Sequence, residues 1–332
     1  MVNFRIGIIG YGKMGKIRDR TIQKLGIGQV VSIYDPNESV SPRHGLEIKK
    51  SIEDVLNSSI DIVFICTPNH MIKEYTIKAL NRGIHVFAEK PPGINLKETK
   101  EIIDVKNKLK DTRLMFGFNH RHHKSVKKMK EIIENKRLGK ILWMRGRYGK
   151  EVDENYLKDW RANPAKSGGG IMLDQGIHLL DLFIYLGGEF DEIKSFVSNL
   201  YWKVSGIEDN VFAIFRNSKS GLCASLHSTM TQWRYLFSLE LFLEKGSLIL
   251  NGLKTSSGAY GDEILTIREN SEPFIAGMSN KEKKYEFNED FSWESEISHF
   301  IKSINEKKET LIGNCNDALV LMKTLEKIYK EN

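Results

Sequence analysis

The stretch Gly10-Tyr11-Gly12-Lys13-Met14-Gly15 decides the fold of this chain, because it follows an apolar run at residues 4–9 and opens a segment with helical spacing. Glycines at these places allow a tight turn, the approach of a pyrophosphate to the backbone, and close packing of a helix on a strand. The helix that begins here offers free N–H groups and a positive dipole end to an anion. The six residues therefore predict a dinucleotide-binding loop.

Asp35 supports this prediction from the end of the next apolar run, residues 30–34. A carboxylate at this place can accept hydrogen bonds from both hydroxyls of a ribose, and it would repel a 2′-phosphate. We therefore expect NAD as the cofactor and consider NADP less favoured. The alternative is that Asp35 is an ordinary turn residue before Pro36.

The fold class follows from how apolar runs and helical segments alternate. Up to about residue 120, short apolar runs alternate with helical spacing, which predicts an N-terminal Rossmann domain with a doubly wound parallel sheet. Beyond it, long strand-like runs joined by short turns predict a C-terminal α+β domain with a large, mostly antiparallel open sheet. We place an NAD-binding domain at residues 1–122 and a substrate-binding and oligomerisation domain at 123–332. An open sheet with one uncovered face favours a homodimer or homotetramer.

Composition narrows the class of protein. Of the 332 residues, 40% are hydrophobic and 28% charged, and the three cysteines lie far apart, which favours a reducing, cytoplasmic location without a disulfide framework. We expect no signal peptide, membrane segment or nucleic-acid partner. The net charge is +7, and basic residues concentrate in residues 121–150. This band indicates either a phosphorylated ligand or a solvated helix face.

Three residues are candidates for catalysis. Lys90 follows the fourth apolar run, at the carboxyl end of a predicted parallel strand, where ligands of such sheets bind. Asp174 and His178 follow the glycine run at residues 168–170, and helical spacing would place them on one face. His178 can act as a general acid or base near neutral pH. Taken singly, each of these residues is more often structural, and their combination favours catalysis.

The chain resembles the Gfo/Idh/MocA family of oxidoreductases, which includes glucose-fructose oxidoreductase and inositol dehydrogenase. The similarity spans residues 4 to about 190, and its segments are the glycine loop, Thr67-Pro68-Asn69, Glu89-Lys90-Pro91, Trp160-Arg161, and residues 168–178 followed by Leu179-Leu180-Asp181.

The resemblance implies specific roles for these residues. Lys90, Asp174 and His178 match the family's catalytic and substrate-binding set, while Thr67, Pro68, Asn69 and Glu89 match positions around the nicotinamide ribose and ring. His70, directly after Asn69, is a further cofactor-binding candidate. Many relatives instead carry a histidine three residues after the Asn, and in this chain Ile72 stands at that position. We add Arg121, Trp160, Arg161 and Gln175 as substrate-binding candidates, and we expect no metal in spite of the cluster His120, His122 and His123.

The expected activity is NAD-dependent hydride transfer to or from a hydroxyl carbon of a sugar, an inositol, a sugar phosphate or a nucleotide sugar. The basic band and Arg161 favour a phosphorylated or nucleotide-linked sugar. We also expect residues 229–235 to face the substrate. Two alternatives remain open. One is redox-neutral hydrolysis or epimerisation through transient oxidation, and the other is a non-catalytic dinucleotide sensor.

Overall fold

The computed structural model describes residues 3–37, 40–43, 45–255, 257–271 and 281–331. The chain folds into two compact units, each assembled from separate segments. The first unit consists of Met1–Asn119, Ala165–Gly168 and Trp293–Met322. The second consists of His120–Pro164, Gly169–Ser292 and Lys323–Asn332.

The first unit is built on a six-stranded parallel sheet, which confirms the predicted Rossmann fold. The strands, in the spatial order β3-β2-β1-β4-β5-β6, pair in parallel throughout. They are β1 (Phe4–Ile9), β2 (Gly28–Tyr34), β3 (Glu47–Ile48), β4 (Ile62–Ile65), β5 (His85–Glu89) and β6 (Leu114–Gly117). The crossover helices are α1 (Lys13–Leu25), α2 (Ile52–Leu56), α3 (Asn69–Leu80) and α4 (Leu96–Asn107). The order reverses beside β1, so the glycine loop after β1 lies at the switch point, where ligands of such sheets bind.

Helix α4 begins at a capping box, which is visible in the sequence as Asn95 followed by Glu98. The Asn95 side chain accepts the Glu98 N–H at 2.9 Å, and the Glu98 carboxylate accepts the N–H of Ile94 at 3.0 Å. This reciprocal capping fixes the chain that leaves Lys90 and turns into the helix.

The second unit contains the predicted open sheet. Eight strands lie in the order β14-β13-β12-β11-β7-β10-β9-β8, and every pair is antiparallel except β7 with β10. They are β7 (Ile141–Gly149), β8 (Glu192–Ser198), β9 (Asn210–Arg216), β10 (Cys223–Thr229), β11 (Leu236–Leu243), β12 (Gly246–Asn251), β13 (Glu263–Glu269) and β14 (Lys281–Phe287). Helices α5 (Lys124–Glu134) and α7 (Ile177–Gly187) belong to this unit, and the short α6 (Pro164–Ser167) precedes the glycine run.

The C-terminal helices divide between the units. Helix α8 (Ser292–Asn305) packs on the parallel sheet of the first unit, where the Phe300 ring lies 5.7 Å from that of Phe87. Helix α9 (Cys315–Lys330) is shared between the units: its residues up to Met322 belong to the first unit, and those from Lys323 onwards belong to the second. The domain boundary after residue 122 stays a prediction. The first compact unit also includes residues from the C-terminal part of the chain, because the apolar face of α8 packs against the Rossmann core.

Three elements differ from what the local sequence pattern suggests. Residues 193–202 form a strand-like run, but strand β8 ends at Ser198, because the buried Asp209 carboxylate accepts the N–H groups of residues 200–202 and turns the chain away. Residues 173–186 form an apolar stretch with helical spacing, and its first part is a π-helix, Met172–Gly176. Strand β14 carries many charged residues and has no apolar run.

Candidate active site

The glycine loop of the first unit has the properties of an anion site. Gly12 caps α1 without any side-chain hydrogen bond, and no acidic residue occupies the first turn. A Cβ atom added at Gly12 would meet no atom within 4 Å, so the loop surface is open there. A Cβ atom at Gly15 would lie 2.2 Å from the Gly10 carbonyl oxygen, which only glycine avoids. The loop thus fits the pyrophosphate of a dinucleotide, with backbone groups as the donors.

Asp35 is tied to the same loop. Its Oδ2 accepts the N–H of Tyr11 at 2.7 Å, and its Oδ1 accepts the N–H of Asn37 at 2.9 Å. A carboxylate has about four acceptor positions, so two remain for ribose hydroxyls. The Tyr11 hydroxyl instead donates to the buried Asp19 at 2.5 Å, and the Tyr11 ring is only 3% exposed. Burial raises the pKa of this tyrosine, and the side chain is structural, which leaves only its backbone to the cofactor.

The segment from Thr67 to His70 leads from β4 into α3. Pro68 caps α3, and Asn69 and His70 form its first turn. The Asn69 side chain is buried and donates to the carbonyl oxygen of Ser167 at 2.7 Å. Its amide therefore links this segment to Ala165–Gly168 within the first unit, a role that the sequence pattern did not indicate.

Glu89 and Lys90 stand at the carboxyl end of β5. The Glu89 carboxylate accepts the Nε–H of Arg18 at 2.7 Å, and Arg18 also donates to Glu296 of α8 at 2.7 Å. The guanidinium is fully buried and lies over the Phe87 ring at 4.3 Å. Arg18 thus fixes the residue directly before Lys90, whose own side chain is half-buried. The sequence analysis did not identify Arg18, since it stands in α1 without a local motif.

In the second unit, Asp174 lies at the centre of a charged group. It belongs to the π-helix, and Lys150 Nζ donates to its Oδ2 at 2.6 Å, while Arg161 Nε donates to its Oδ1 at 3.3 Å. Arg161 also pairs with Asp159 at 3.2 Å. Although burial opposes it, Asp174 and Asp159 raise the pKa of the Arg161 guanidinium. Both cations are thus balanced by carboxylates.

Lys150 was missed by the sequence analysis. It directly follows β7, and its backbone N–H donates to the carbonyl oxygen of Thr229, the last residue of β10, at 2.9 Å. The sequence does show a lysine directly after a strand-like run, but nothing in the sequence predicts that β7 pairs with β10 or that Lys150 lies beside Asp174.

His178 stands in the first turn of α7 and is 6% exposed. Its imidazole stacks on that of His120, with centroids 4.0 Å apart. Nε2 of His120 lies 3.1 Å from the hydroxyl of Tyr148, and the Tyr148 ring stacks in turn on Tyr260. Burial raises the pKa of Tyr148 well above its usual value, so its hydroxyl stays protonated and can serve as a donor.

A buried carboxylate holds the glycine run that precedes Asp174. Glu208 accepts the N–H groups of Gly170 at 2.7 Å and Met172 at 2.9 Å, and the Tyr329 hydroxyl donates to it at 2.9 Å. A Cβ atom at Gly170 would lie 2.0 Å from the Glu208 carbonyl oxygen, so this close approach requires glycine. Burial raises the pKa of Glu208. The sequence analysis did not identify this residue.

The other substrate candidates differ in their surroundings. Arg121 is 2% exposed, and its Nε and Nη2 donate to the two carboxylate oxygens of Asp181 at 2.8 and 2.6 Å. Its expected role in substrate binding stays a prediction, and the contact that the structure shows for its guanidinium is this bidentate pair. Trp160 lies beneath the Arg161 guanidinium at 4.4 Å. Gln175 donates to Asp174 at 3.4 Å, so its amide belongs to the charged group.

Among the described residues, no group of three or more His, Cys, Asp or Glu side chains is arranged to hold a metal ion. None of the described helices has the length and apolar character needed to cross a membrane.

Comparison with known proteins identifies a family. Residues 4–118 match the family described as "Oxidoreductase family, NAD-binding Rossmann fold", and residues 126–249 match the "GFO/IDH/MocA C-terminal domain". Together these matches cover more than half of the chain.

Several of the relatives with curated names are sugar and polyol dehydrogenases. Myo-inositol 2-dehydrogenase of Thermotoga maritima is 26% identical over 272 residues, which is 78% of each chain. Levoglucosan dehydrogenase of Pseudarthrobacter phenanthrenivorans is 29% identical over 216 residues, 60% of this chain and 55% of that protein. This chain thus spans about half of some curated relatives and about three quarters of others. A levoglucosan dehydrogenase structure, in complex with NADH and levoglucosan, shares the fold with a TM-score of 0.87, 21% identity, and coverage of 99% of this chain and 97% of that one.

Proposed function

The chain belongs to the Gfo/Idh/MocA family of NAD-binding oxidoreductases, and from this premise we propose that it transfers a hydride between NAD and a hydroxyl carbon of an uncharged sugar or polyol. The observation that carries the substrate class is the arrangement around Asp174, where the carboxylate is held by Lys150 and Arg161 and these cations are balanced by Asp174 and Asp159.

The charges around Asp174 favour an uncharged substrate over a phosphorylated one. A phosphate would have to compete with Asp174 and Asp159 for Arg161, and breaking a partly buried charged pair is costly. Three cations of the basic band already have partners: Lys130 donates to the Tyr185 carbonyl oxygen, Arg145 pairs with Glu240, and Lys124 lies over the Phe291 ring. A carboxylate accepts hydrogen bonds from neutral hydroxyls without such competition.

The cofactor-binding residues are those of the first unit. The N–H groups of the Gly10–Gly15 loop would hold the pyrophosphate, and Asp35 would accept the ribose hydroxyls, which favours NAD over NADP. Residues 67–70 and Glu89 would border the nicotinamide end. Bound NAD supplies the hydride acceptor at C4 of its nicotinamide ring.

The chain's own residues would bind the substrate and move the proton. Asp174 accepts a hydrogen bond from a substrate hydroxyl, and Lys150 and Arg161 hold its carboxylate in place. His178 accepts the proton of the reacting hydroxyl as general base and returns it in the reverse direction. Lys90 directly follows Glu89, which Arg18 holds in place, and its positive charge stabilises the developing alkoxide. Trp160 and Gln175 complete the substrate-binding candidates.

Self-association and location belong to the same proposal. One face of the eight-stranded sheet exposes Phe196, Phe212 and Ile214, with Phe196 and Phe212 directly opposite each other on β8 and β9. Such a patch is typical of an interface between protein chains, and we propose a homodimer or homotetramer.

All three cysteines are free thiols, which suits a cytoplasmic enzyme.

The alternatives find no support. The relatives named above are dehydrogenases, and they give no support to a redox-neutral hydrolase or epimerase. No described residue favours a non-catalytic sensor.

The test is a panel of sugars, inositols, sugar phosphates and nucleotide sugars with NAD⁺, followed by NADH absorbance. We expect turnover with uncharged members. Lys90→Ala and His178→Ala should retain NADH binding and lose at least about 100-fold in turnover. Near-normal rates in both variants, or activity confined to phosphorylated sugars, would contradict the proposal.

A further inference from the structure

Three aromatic side chains of the second unit form an exposed cluster, which we call the aromatic shelf: Tyr201, Trp202 and Trp233. The Tyr201 ring lies 4.7 Å from that of Trp233 and 5.2 Å from that of Trp202. Tyr201 is 59% and Trp233 54% exposed. Scattered exposed aromatic residues need no explanation, but a contiguous group of this size indicates a binding surface.

The shelf is held rigidly by buried groups. The Asp209 carboxylate is fully buried and accepts the N–H groups of Leu200, Tyr201 and Trp202 at 2.7–3.0 Å. The indole Nε1–H of Trp202 donates to the Met230 carbonyl oxygen at 3.2 Å. A buried acid that serves only to fix an exposed loop reduces the entropy lost when a ligand binds there.

Trp233 is held in an unusual conformation. Its φ of 58° lies in the left-handed region, which a bulky side chain rarely adopts. The preceding Gln232 packs against Gly149, where a Cβ atom would lie 2.0 Å from the Gln232 amide. Strained residues of this kind persist at functional sites, because the surrounding structure holds them there.

The shelf and the Asp174 group extend from the same end of the sheet. Gly149, Ser198, Asn210 and Thr229 lie in register at the ends of β7, β8, β9 and β10. Lys150 continues from that end towards Asp174, and the shelf loops continue from it as well.

A row of rings also connects the shelf segment with His178. Tyr235, two residues after Trp233, lies edge-on to Tyr260 at 5.0 Å. Tyr260 stacks on Tyr148 at 5.1 Å, and the Tyr148 ring is 6.3 Å from that of His178. The segment that leads from Trp233 to β11 therefore contacts the row of rings that ends at His178.

We propose that the aromatic shelf is a second carbohydrate subsite, which binds the ring linked to the sugar that is oxidised, so that the preferred substrate is a glycoside. Aromatic faces suit the C–H faces of a pyranose, and the polar edges of Tyr201 and Trp202 suit its rim. The exposed Arg234, next to Trp233, adds N–H donors for hydroxyl groups. This inference rests on the proposed function and narrows its substrate class.

The kinetic test compares glucose with cellobiose and phenyl β-D-glucopyranoside. We expect the wild-type protein to have a higher kcat/KM for the two glycosides. Trp233→Ala and Tyr201→Ala should raise the KM for the glycosides by about three- to tenfold and leave the constants for glucose unchanged. Leu311→Ala, at an 84% exposed residue of the first unit, is the matched control and should change none of them.

A binding measurement separates this inference from the proposed function. Titration of cellobiose into the enzyme–NADH complex needs no turnover, and affinity reduced by Trp233→Ala supports the shelf even if no sugar is oxidised. Equal effects on glucose and cellobiose would overturn the shelf, as would the absence of any preference for glycosides. A change of oligomeric state in Trp233→Ala, seen by light scattering, would assign the shelf to an interface between copies of the chain and would overturn it as well.

Discussion

The imidazole rings of His120 and His178 stack face to face, with centroids 4.0 Å apart and planes inclined by 13°. The hydroxyl of Tyr148 lies 3.1 Å from Nε2 of His120 and orients that ring in turn. His178 therefore lies against an aromatic neighbour that fixes the plane of its imidazole.

Replacement of the two histidines should separate their roles. His178→Asn should lower kcat by at least about 100-fold, because it removes the proposed base. His120→Phe keeps a stacked ring and loses the polar contact with Tyr148, so we expect a smaller decrease. Both should bind NADH as the wild type does in fluorescence titration. A larger loss in His120→Phe than in His178→Asn would assign the base to His120.

Asp35 should determine the choice of cofactor. Asp35→Ala removes hydrogen bonds between a charged acceptor and the ribose, a loss of about 1.5–3 kcal/mol or roughly ten- to a hundredfold in NADH affinity. Affinity for NADPH should fall less, because the repulsion of its phosphate disappears as well. Titration of both nucleotides checks this change of ratio. Equal or tighter NADPH binding by the wild-type protein would refute the preference for NAD.

Gly12 allows cofactor binding to be tested apart from folding. In Gly12→Ala the new Cβ atom meets no atom of the protein within 4 Å, so the melting temperature should not change. The methyl group would stand where the pyrophosphate approaches, and NADH affinity should fall by roughly tenfold or more. Gly15→Ala is the contrasting control, because its Cβ atom would collide with the Gly10 carbonyl oxygen and lower the melting temperature. Unchanged NADH affinity in Gly12→Ala would show that the anion binds elsewhere.

Glu208 should act as a positioning residue for the Asp174 segment. In Glu208→Gln an amide N–H₂ group would face an N–H or O–H donor, at a cost of about 1–3 kcal/mol in the free energy of unfolding. We also expect kcat/KM to fall, because the glycine run before Asp174 loses its anchor. Tyr329→Phe removes a single donor to the same carboxylate and should have the smaller effect on both quantities. If the two variants lose stability equally, the contacts with Gly170 and Met172 contribute little.

The exposed sheet face should control self-association. Ile214 is 59% exposed on β9, and an aspartate there would be buried against a partner copy without a counter-charge. We expect a dimer or tetramer for the wild type and a shift towards monomer for Ile214→Asp, measured by light scattering. Leu311→Asp, on the first unit, should leave the mass unchanged. A monomeric wild-type protein at micromolar concentration would contradict the proposed interface.

Local patterns in the sequence predicted the fold and part of the candidate site. The run at residues 4–9 and the glycine loop carry their own geometry, so β1 and the start of α1 were predicted closely. Arg18 and Lys150 were missed because their partners, Glu296 and Asp174, are distant in sequence. The pairing of Arg121 with Asp181 was not predicted, because nothing local indicates that Asp181 accepts hydrogen bonds from two of its nitrogens. Such pairs depend on tertiary packing, which local patterns do not determine.

The end of β8 gives the same lesson for secondary structure. Residues 199–202 continue an apolar pattern that is typical of a strand, yet the Asp209 carboxylate binds their N–H groups and ends the strand. A buried acid eleven residues after Ser198 competes with the ladder hydrogen bonds, and its influence is visible only in the folded chain.

Direct hydride transfer is the central claim, and an isotope measurement tests it most directly. A sugar from the active panel, deuterated at its reacting carbinol carbon, is incubated with NAD⁺ and the protein, and the NADH formed is analysed by mass spectrometry. The account predicts NADH that carries one deuterium, with a slower rate than for the unlabelled sugar if hydride transfer limits turnover. Unlabelled NADH, or conversion of the sugar with no NADH released, would contradict it.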